Sequence, residues 1–135
     1  TEQRVYFEQV LKNNPQVKWT FVLMHKPLWK NEKLEEWGKL EEILANRNHT
    51  VINGHYHSFS HEKKGNNAYM MLGTTGGAQN AEDPNAFDHI TWVKMKGGVP
   101  TMSHIRMDGI LNEEGKIPLN GDTLSFQAYK PLLTP

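Results

Sequence analysis

Three histidines dominate the chemistry this sequence can offer. His55 and His57 stand two apart in the stretch VINGHYHSFSHEKK (51–64), directly after an apolar run and Gly54. Side chains two apart on an extended segment project to the same side. The two imidazoles are therefore expected to converge, with Gly54 supplying the backbone freedom that keeps the place open. Imidazole suits Zn, Fe, Ni and, less characteristically, Mn. Two rings are an incomplete set, since most metals take at least four ligands. The third is expected from His25, which follows the apolar run WTFVLM (19–24) and precedes Pro27.

Topology decides whether His25 can reach the pair. Residues 2–13 read as a helix with Phe7, Val10 and Leu11 on one face and Asn13-Asn14-Pro15 as its stop. The run 19–24 is continuous and bulky, which predicts a strand buried on both faces. Pro27 cannot donate to a ladder, so this strand must end near His25. A second helix is expected over 31–46, with Leu34, Trp37, Leu40, Ile43 and Leu44 at three-and-four spacing. Thr50-Val51-Ile52 then opens a strand that stops at Gly54. Strand, helix and strand in this order make parallel neighbours with a right-handed crossover. Both strands would end on one sheet edge, with His25 beside His55 and His57, where open α/β sheets place their ligands.

Beyond Gly54 the pattern changes to short strands and turns: 58–63, 68–72, 89–96 and 101–107, punctuated at Asn66-Asn67 and Gly97-Gly98. The loop Gly73-Thr74-Thr75-Gly76-Gly77 and the polar stretch to Asp88 read as irregular, and 112–135 as a surface-wrapping tail. The whole is a single mixed α/β (α+β) domain. Of the remaining histidines, His49, His61 and His104 read as solvated or locally bonded side chains. His89, between a polar loop and a strand, is placed to reach a pocket.

Composition excludes several classes. Fifteen basic residues balance fifteen acidic ones in 135 residues, and no basic stripe marks a nucleic-acid partner. The longest apolar run falls far short of the roughly 20 residues a membrane helix needs. Without cysteine there is no disulfide, thiolate metal site or cysteine nucleophile.

The block Met24-His25-Lys26-Pro27-Leu28-Trp29, a helix, and then Val51-Ile52-Asn53-Gly54-His55-Tyr56-His57 resembles the C-terminal half of the calcineurin-like metallophosphoesterases, which include the purple acid phosphatases. The family's late motifs are a His followed closely by Pro after one strand and Gly-His-x-His after the next. The loop 72–77, Phe87-Asp88-His89 and Asp108-Gly109-Ile110 are similar to bacterial members, and the likeness runs over residues 2–111. It implies the C-terminal half of a four-layer αββα sandwich, here one mixed sheet with flanking helices. It also implies a site for two divalent or trivalent ions (Fe, Mn, Zn or Ni) that hydrolyses phosphate mono- or diesters. Carried over by position, His25 and His55 would ligate one ion and His57 the other, with His89, Lys26 and Tyr56 as substrate-side residues. Export is a property of many bacterial relatives; the compartment of this chain is left open.

The family's early motifs, Asp-x-His, Gly-Asp-x-x-Asp and Gly-Asn-His-Asp/Glu, are absent from these 135 residues. They would bring the bridging carboxylate, an asparagine ligand and the histidine that assists the leaving group. The chain is therefore expected to be the C-terminal piece of a longer phosphoesterase, inactive alone. Its exposed inner face should pair with the missing half or self-associate. Two other readings compete. His55-x-His57 with Glu62 fits the H-x-H-x4-E ligand set of cupins, but cupins are β-rich barrels, and the glycine expected six residues earlier is His49. A non-catalytic interaction module that keeps the histidines as a relic is the alternative of another class.

Overall fold

The computed structural model describes residues 1–31, 33–107 and 109–117. Helix α1 (Glu2–Asn13) is followed by strand β1 (Thr20–Leu23), a 3-10 turn (Leu28–Lys30), helix α2 (Glu35–Leu44) and strand β2 (His49–Asn53). Five more strands follow among the described residues: β3 (Ser60–Lys64), β4 (Asn67–Met71), β5 (Ile90–Lys96), β6 (Val99–Arg106) and β7 (Gly109–Leu111). The mixed α+β class is as expected. Two sheets replace the single mixed sheet, however: a four-stranded one in the order β1-β2-β4-β3 and an antiparallel β5-β6-β7. The first is parallel from β1 through β2 to β4, with β3 antiparallel at its edge. Among the described residues both sheets are open, unlike the closed barrel of a cupin.

Alternation along the strands sets the layers. Val22, Val51 and Tyr69 face the helices and pack with Trp29, Trp37, Leu44 and the half-buried Leu11, Leu34 and Leu40. Ala68 and Met70 face the other way and meet Met102 of β6, so the mixed sheet lies between the helices and the second sheet. Each such side chain contributes roughly 1.5–3 kcal/mol by leaving water. Helix α2 is shorter than its stripe, because the chain first makes the 3-10 turn that buries Trp29. The Leu34 N–H then bonds the Asn31 carbonyl at 3.0 Å in a turn that precedes the helix. No helix among the described residues is long and apolar enough to cross a membrane.

Strand β1 departs from its expected burial on both faces. It is the sheet edge, and Phe21 and Leu23 are 38% and 73% exposed. The composition of WTFVLM reports a need for burial, not the position of the strand in the sheet. The short strand β7 has no apolar alternation and was not expected. Residues 118–135 of the predicted tail lie outside the described residues; 112–117 form a turn closed by Asn112 and Lys116.

The seam between the sheets buries a histidine that was expected to be solvated or locally bonded. His104 is fully buried, edge-on to Phe59 and His89, with ring contacts of 4.6 and 5.2 Å. Its Nε2–H donates to the Glu113 carbonyl at 3.1 Å, and Nδ1 lies 3.0 Å from the Thr91 hydroxyl. Burial pushes its pKa down to about 4, against the pull of that carbonyl, and His89 and His61 lower it further. His61 and His89 are lowered in the same direction, again chiefly by burial. A histidine depressed in the folded state contributes stability that is present above its unfolded range near 6.5 and lost as pH falls toward the folded value. Urea unfolding should therefore show a loss of about 2 kcal/mol between pH 7.5 and pH 5 from His104 alone. His104→Asn should be less stable at pH 7.5 and markedly flatter with pH.

Candidate metal centre

The end of the mixed sheet where β1 and β2 finish is built by a ladder that continues past both strands. Residues Thr20 to Leu23 pair with His49 to Ile52 in parallel register. The main chain then goes on bonding, with Met24 N–H to the Ile52 carbonyl at 3.0 Å and Gly54 N–H to the His25 carbonyl at 3.1 Å. This extension sets His25 alongside Gly54 and brings His55 within reach. His55 Nδ1 lies 3.2 Å from His25 Nε2, with the rings edge to face at 5.1 Å and 82°. Two nitrogens bound to one tetrahedral ion at about 2.0–2.1 Å would stand about 3.3 Å apart. The pair therefore fits one shared cation as well as it fits an N–H···N bond.

His57 is positioned differently. Its Nδ1 is 2.6 Å from the carbonyl oxygen of Ala78. A carbonyl can only accept, so Nδ1 carries the proton and Nε2 keeps the free lone pair. A carbonyl partner behind the ring is the usual outer support of a metal-ligating histidine. Among the described residues, no three His, Cys, Asp or Glu side chains stand close enough together to hold a metal ion. The structure joins His25 to His55 and sets His57 apart on the loop 73–79.

The expected extended geometry of 54–57 is replaced by a bend. His55 and His57 have φ of 83° and 55°, in the left-handed region, whereas Gly54 does not. Such a backbone is uncommon for a residue with a Cβ. The turn thus replaces the extended geometry on which the expected convergence of the two rings rested: His55 meets His25, and His57 rests on the Ala78 carbonyl instead.

Loop 73–79, against which His57 rests, is tied to the start of β5. Thr74 pairs with Asp88, whose carboxylate accepts from the Thr74 hydroxyl and from Gly76 N–H at 2.8 Å. The Thr74 bond, first, and the Gly76 bond hold the Asp88 carboxyl below its ordinary range. A Cβ on Gly73 would stand 2.4 Å from the Phe87 carbonyl oxygen, so glycine is required there. The role of Asp88 was not singled out from the sequence, where an aspartate after a polar stretch carries no signal of its own.

The substrate-side residues separate as well. Lys26 is exposed beside His25, and the exposed Tyr56 sets its ring 4.9 Å from that of His55. His89 is buried between Phe59, Phe87 and His104, its Nδ1 3.4 Å from the Phe87 carbonyl and its Nε2 without a partner among the described residues. His49 is buried beside Tyr69 at 3.1 Å and locally bonded through Nδ1 to the Arg47 carbonyl at 2.9 Å, the second of its two expected states, whereas His61 sits in the sheet seam, 3.9 Å from Glu113, and is not solvated. Glu62, the acid of the cupin set, is exposed on β3. Comparison with protein-family models, curated proteins and solved structures finds no match for this chain.

One buried bond locks the arrangement from below: Trp29 Nε1–H donates to Asn53 Oδ1 at 2.8 Å. It joins the turn after His25 to the end of β2. Asn53→Leu leaves a buried indole N–H unpaired and should cost about 1–3 kcal/mol in urea unfolding. It should also loosen the His25–His55 approach, read as loss of contacts between the two rings in NMR.

Proposed function

We propose that this chain is the C-terminal part of a phosphoesterase domain that works with two divalent or trivalent metal ions on phosphate mono- or diesters. The observation that carries the reading is the 3.2 Å approach of His25 and His55 at the carboxyl ends of two parallel, helix-connected strands. Its sequence context resembles the late motifs of the metallophosphoesterases. The His25–His55 pair would hold one ion, and His57, through Nε2, the other. When bound, such ions supply Lewis acidity toward phosphate oxygens. The chain's own contribution is to fix donor orientation: the extended ladder holds His25 and His55, and the Ala78 carbonyl fixes the His57 tautomer. Lys26 and Tyr56, exposed beside the pair, are the proposed phosphate contacts.

Carboxylate ligands must then come from a segment that these 135 residues do not contain. The purified chain should bind Mn or Zn weakly, lose that binding in His25→Ala or His55→Ala, and leave an aryl phosphate unhydrolysed at every metal concentration. Metal-dependent turnover by the chain alone would overturn the fragment reading. Reading the coding frame upstream of Thr1 should reveal Asp-x-His and Gly-Asn-His blocks, and a complete frame without them favours a non-catalytic module.

The expected exposed inner face is covered where Met102 packs on Ala68 and Met70, and exposed apolar surface lies at the open edge instead. Among the described residues strand β1 has β2 on one side only, and its apolar residues form a groove with Tyr6, Phe7 and Val10 of α1 that is about 540 Å³ in volume. Contiguous exposed apolar side chains of this kind, Tyr6, Phe7, Phe21 and Leu23 among them, suit an interaction face. In sedimentation velocity the isolated chain should self-associate as its concentration rises, and Leu23→Lys should suppress this. A monodisperse wild-type monomer at high concentration would count against the proposed pairing.

A further inference from the structure

The opposite end of the mixed sheet carries a second concentration of chemistry. Strands β1, β2 and β4 all begin there, and four connections converge: 14–19, 45–48, and the turns at Gly65-Asn66 and Gly97-Gly98. They border an open concavity of about 830 Å³. Its lining includes Lys18, Arg47 and Lys64 together with Asn46, Asn48 and Asn66, and it contains no Asp or Glu. The chain as a whole has balanced charge, so three cations around one hollow are a local excess.

How each cation is held decides what remains available. Lys64 is paired with Glu41 at 2.7 Å. Among the described residues Arg47 is anchored by neutral oxygens: the Leu11 carbonyl at 2.7 Å, and the Asn14 carbonyl and Thr20 hydroxyl at 3.4 Å. These bonds fix its position, and no carboxylate among the described residues pairs with it. Lys18 has no ion-pair partner among the described residues. Its methylenes lie against Gly98, where a Cβ would stand 2.4 Å from Lys18 Cδ, and Gly98 has a φ of +88°. The turn therefore props the lysine stem and requires glycine. Two cations with no carboxylate partner among the described residues, set among side-chain amides, give the hollow a positive lining of the kind that suits anions.

We infer that this concavity binds a small multivalent anion with phosphate-type oxygens, independently of the histidine pair at the far strand ends. Inorganic tripolyphosphate, titrated into the 135-residue chain and followed by amide NMR at about 0.1 M salt, tests this. Saturable shifts should concentrate at Lys18, Gly65, Gly97 and Gly98. Lys18→Gln should weaken binding about tenfold, as expected for one charge-assisted contact, while His25→Ala leaves it unchanged. Shifts confined to the His25–His55 end, no saturation, or equal affinity in Lys18→Gln would overturn the inference. A short single-stranded oligonucleotide that binds at these amides where tripolyphosphate does not would overturn it in favour of nucleic-acid recognition.

Discussion

The parallel register of β1 against β2 is the constraint on which the candidate metal centre depends. Val22 stands beside Val51, and Val51 beside Tyr69, on the face covered by Trp29, Trp37 and Leu44. A slip of one residue would turn Val51 away from the helices and bring Thr50 or Ile52 under them, exchanging every side chain between faces. The apolar core therefore fixes the register, and the register carries two further bonds that put His25 opposite Gly54. Chemistry at the strand tips is in this sense decided by packing below them. The Trp29–Asn53 bond closes the same loop from the helix side.

Past the ladder the backbone leaves ordinary geometry. Two histidines with positive φ within three residues represent strain on the order of 1–3 kcal/mol each. That strain is opposed by contacts made by the rings themselves: His55 against His25 and Tyr56, and His57 against the Ala78 carbonyl. Left-handed residues are common where a site must aim side chains that the fold would otherwise point elsewhere. The observed outlier therefore supports a functional reading of this turn more strongly than the count of histidines does.

What the sequence disclosed and what it hid follow from the range of each signal. Periodicity in 2–13, the stop at Pro27 and the glycine after Ile52 are local, and they located α1, β1 and β2 to within a residue or two. Crossover handedness is nearly invariant, so the meeting of His25 with His55 was legible before any coordinates. The edge position of β1 was not, because an apolar run looks the same in a central strand and in an edge strand awaiting a neighbour. The second sheet was also hidden: Trp92, Lys94 and Lys96 on β5 do not distinguish extension of the first sheet from a separate one. The left-handed turn at 55–57 ran against propensity, since a glycine stands one residue too early to supply it. The burial of His104 and His89 was missed because imidazole is read as polar, whereas a neutral ring packs edge-on against Phe59 like any aromatic.

The unpartnered edge and the incomplete histidine set lie on one continuous surface. The apolar groove between α1 and β1 runs into His25 and Lys26, which line it together with Leu23 and Met24. A strand added to β1 in parallel would end beside His25, as β2 does on the other side, because parallel neighbours finish on a common edge. Whatever residue followed that strand would meet the His25–His55 pair at close range. Covering the edge and supplying further ligands are thus a single structural event under the proposed reading. Closure of the groove would drive it by apolar burial, and the pair of imidazoles would be finished as a consequence.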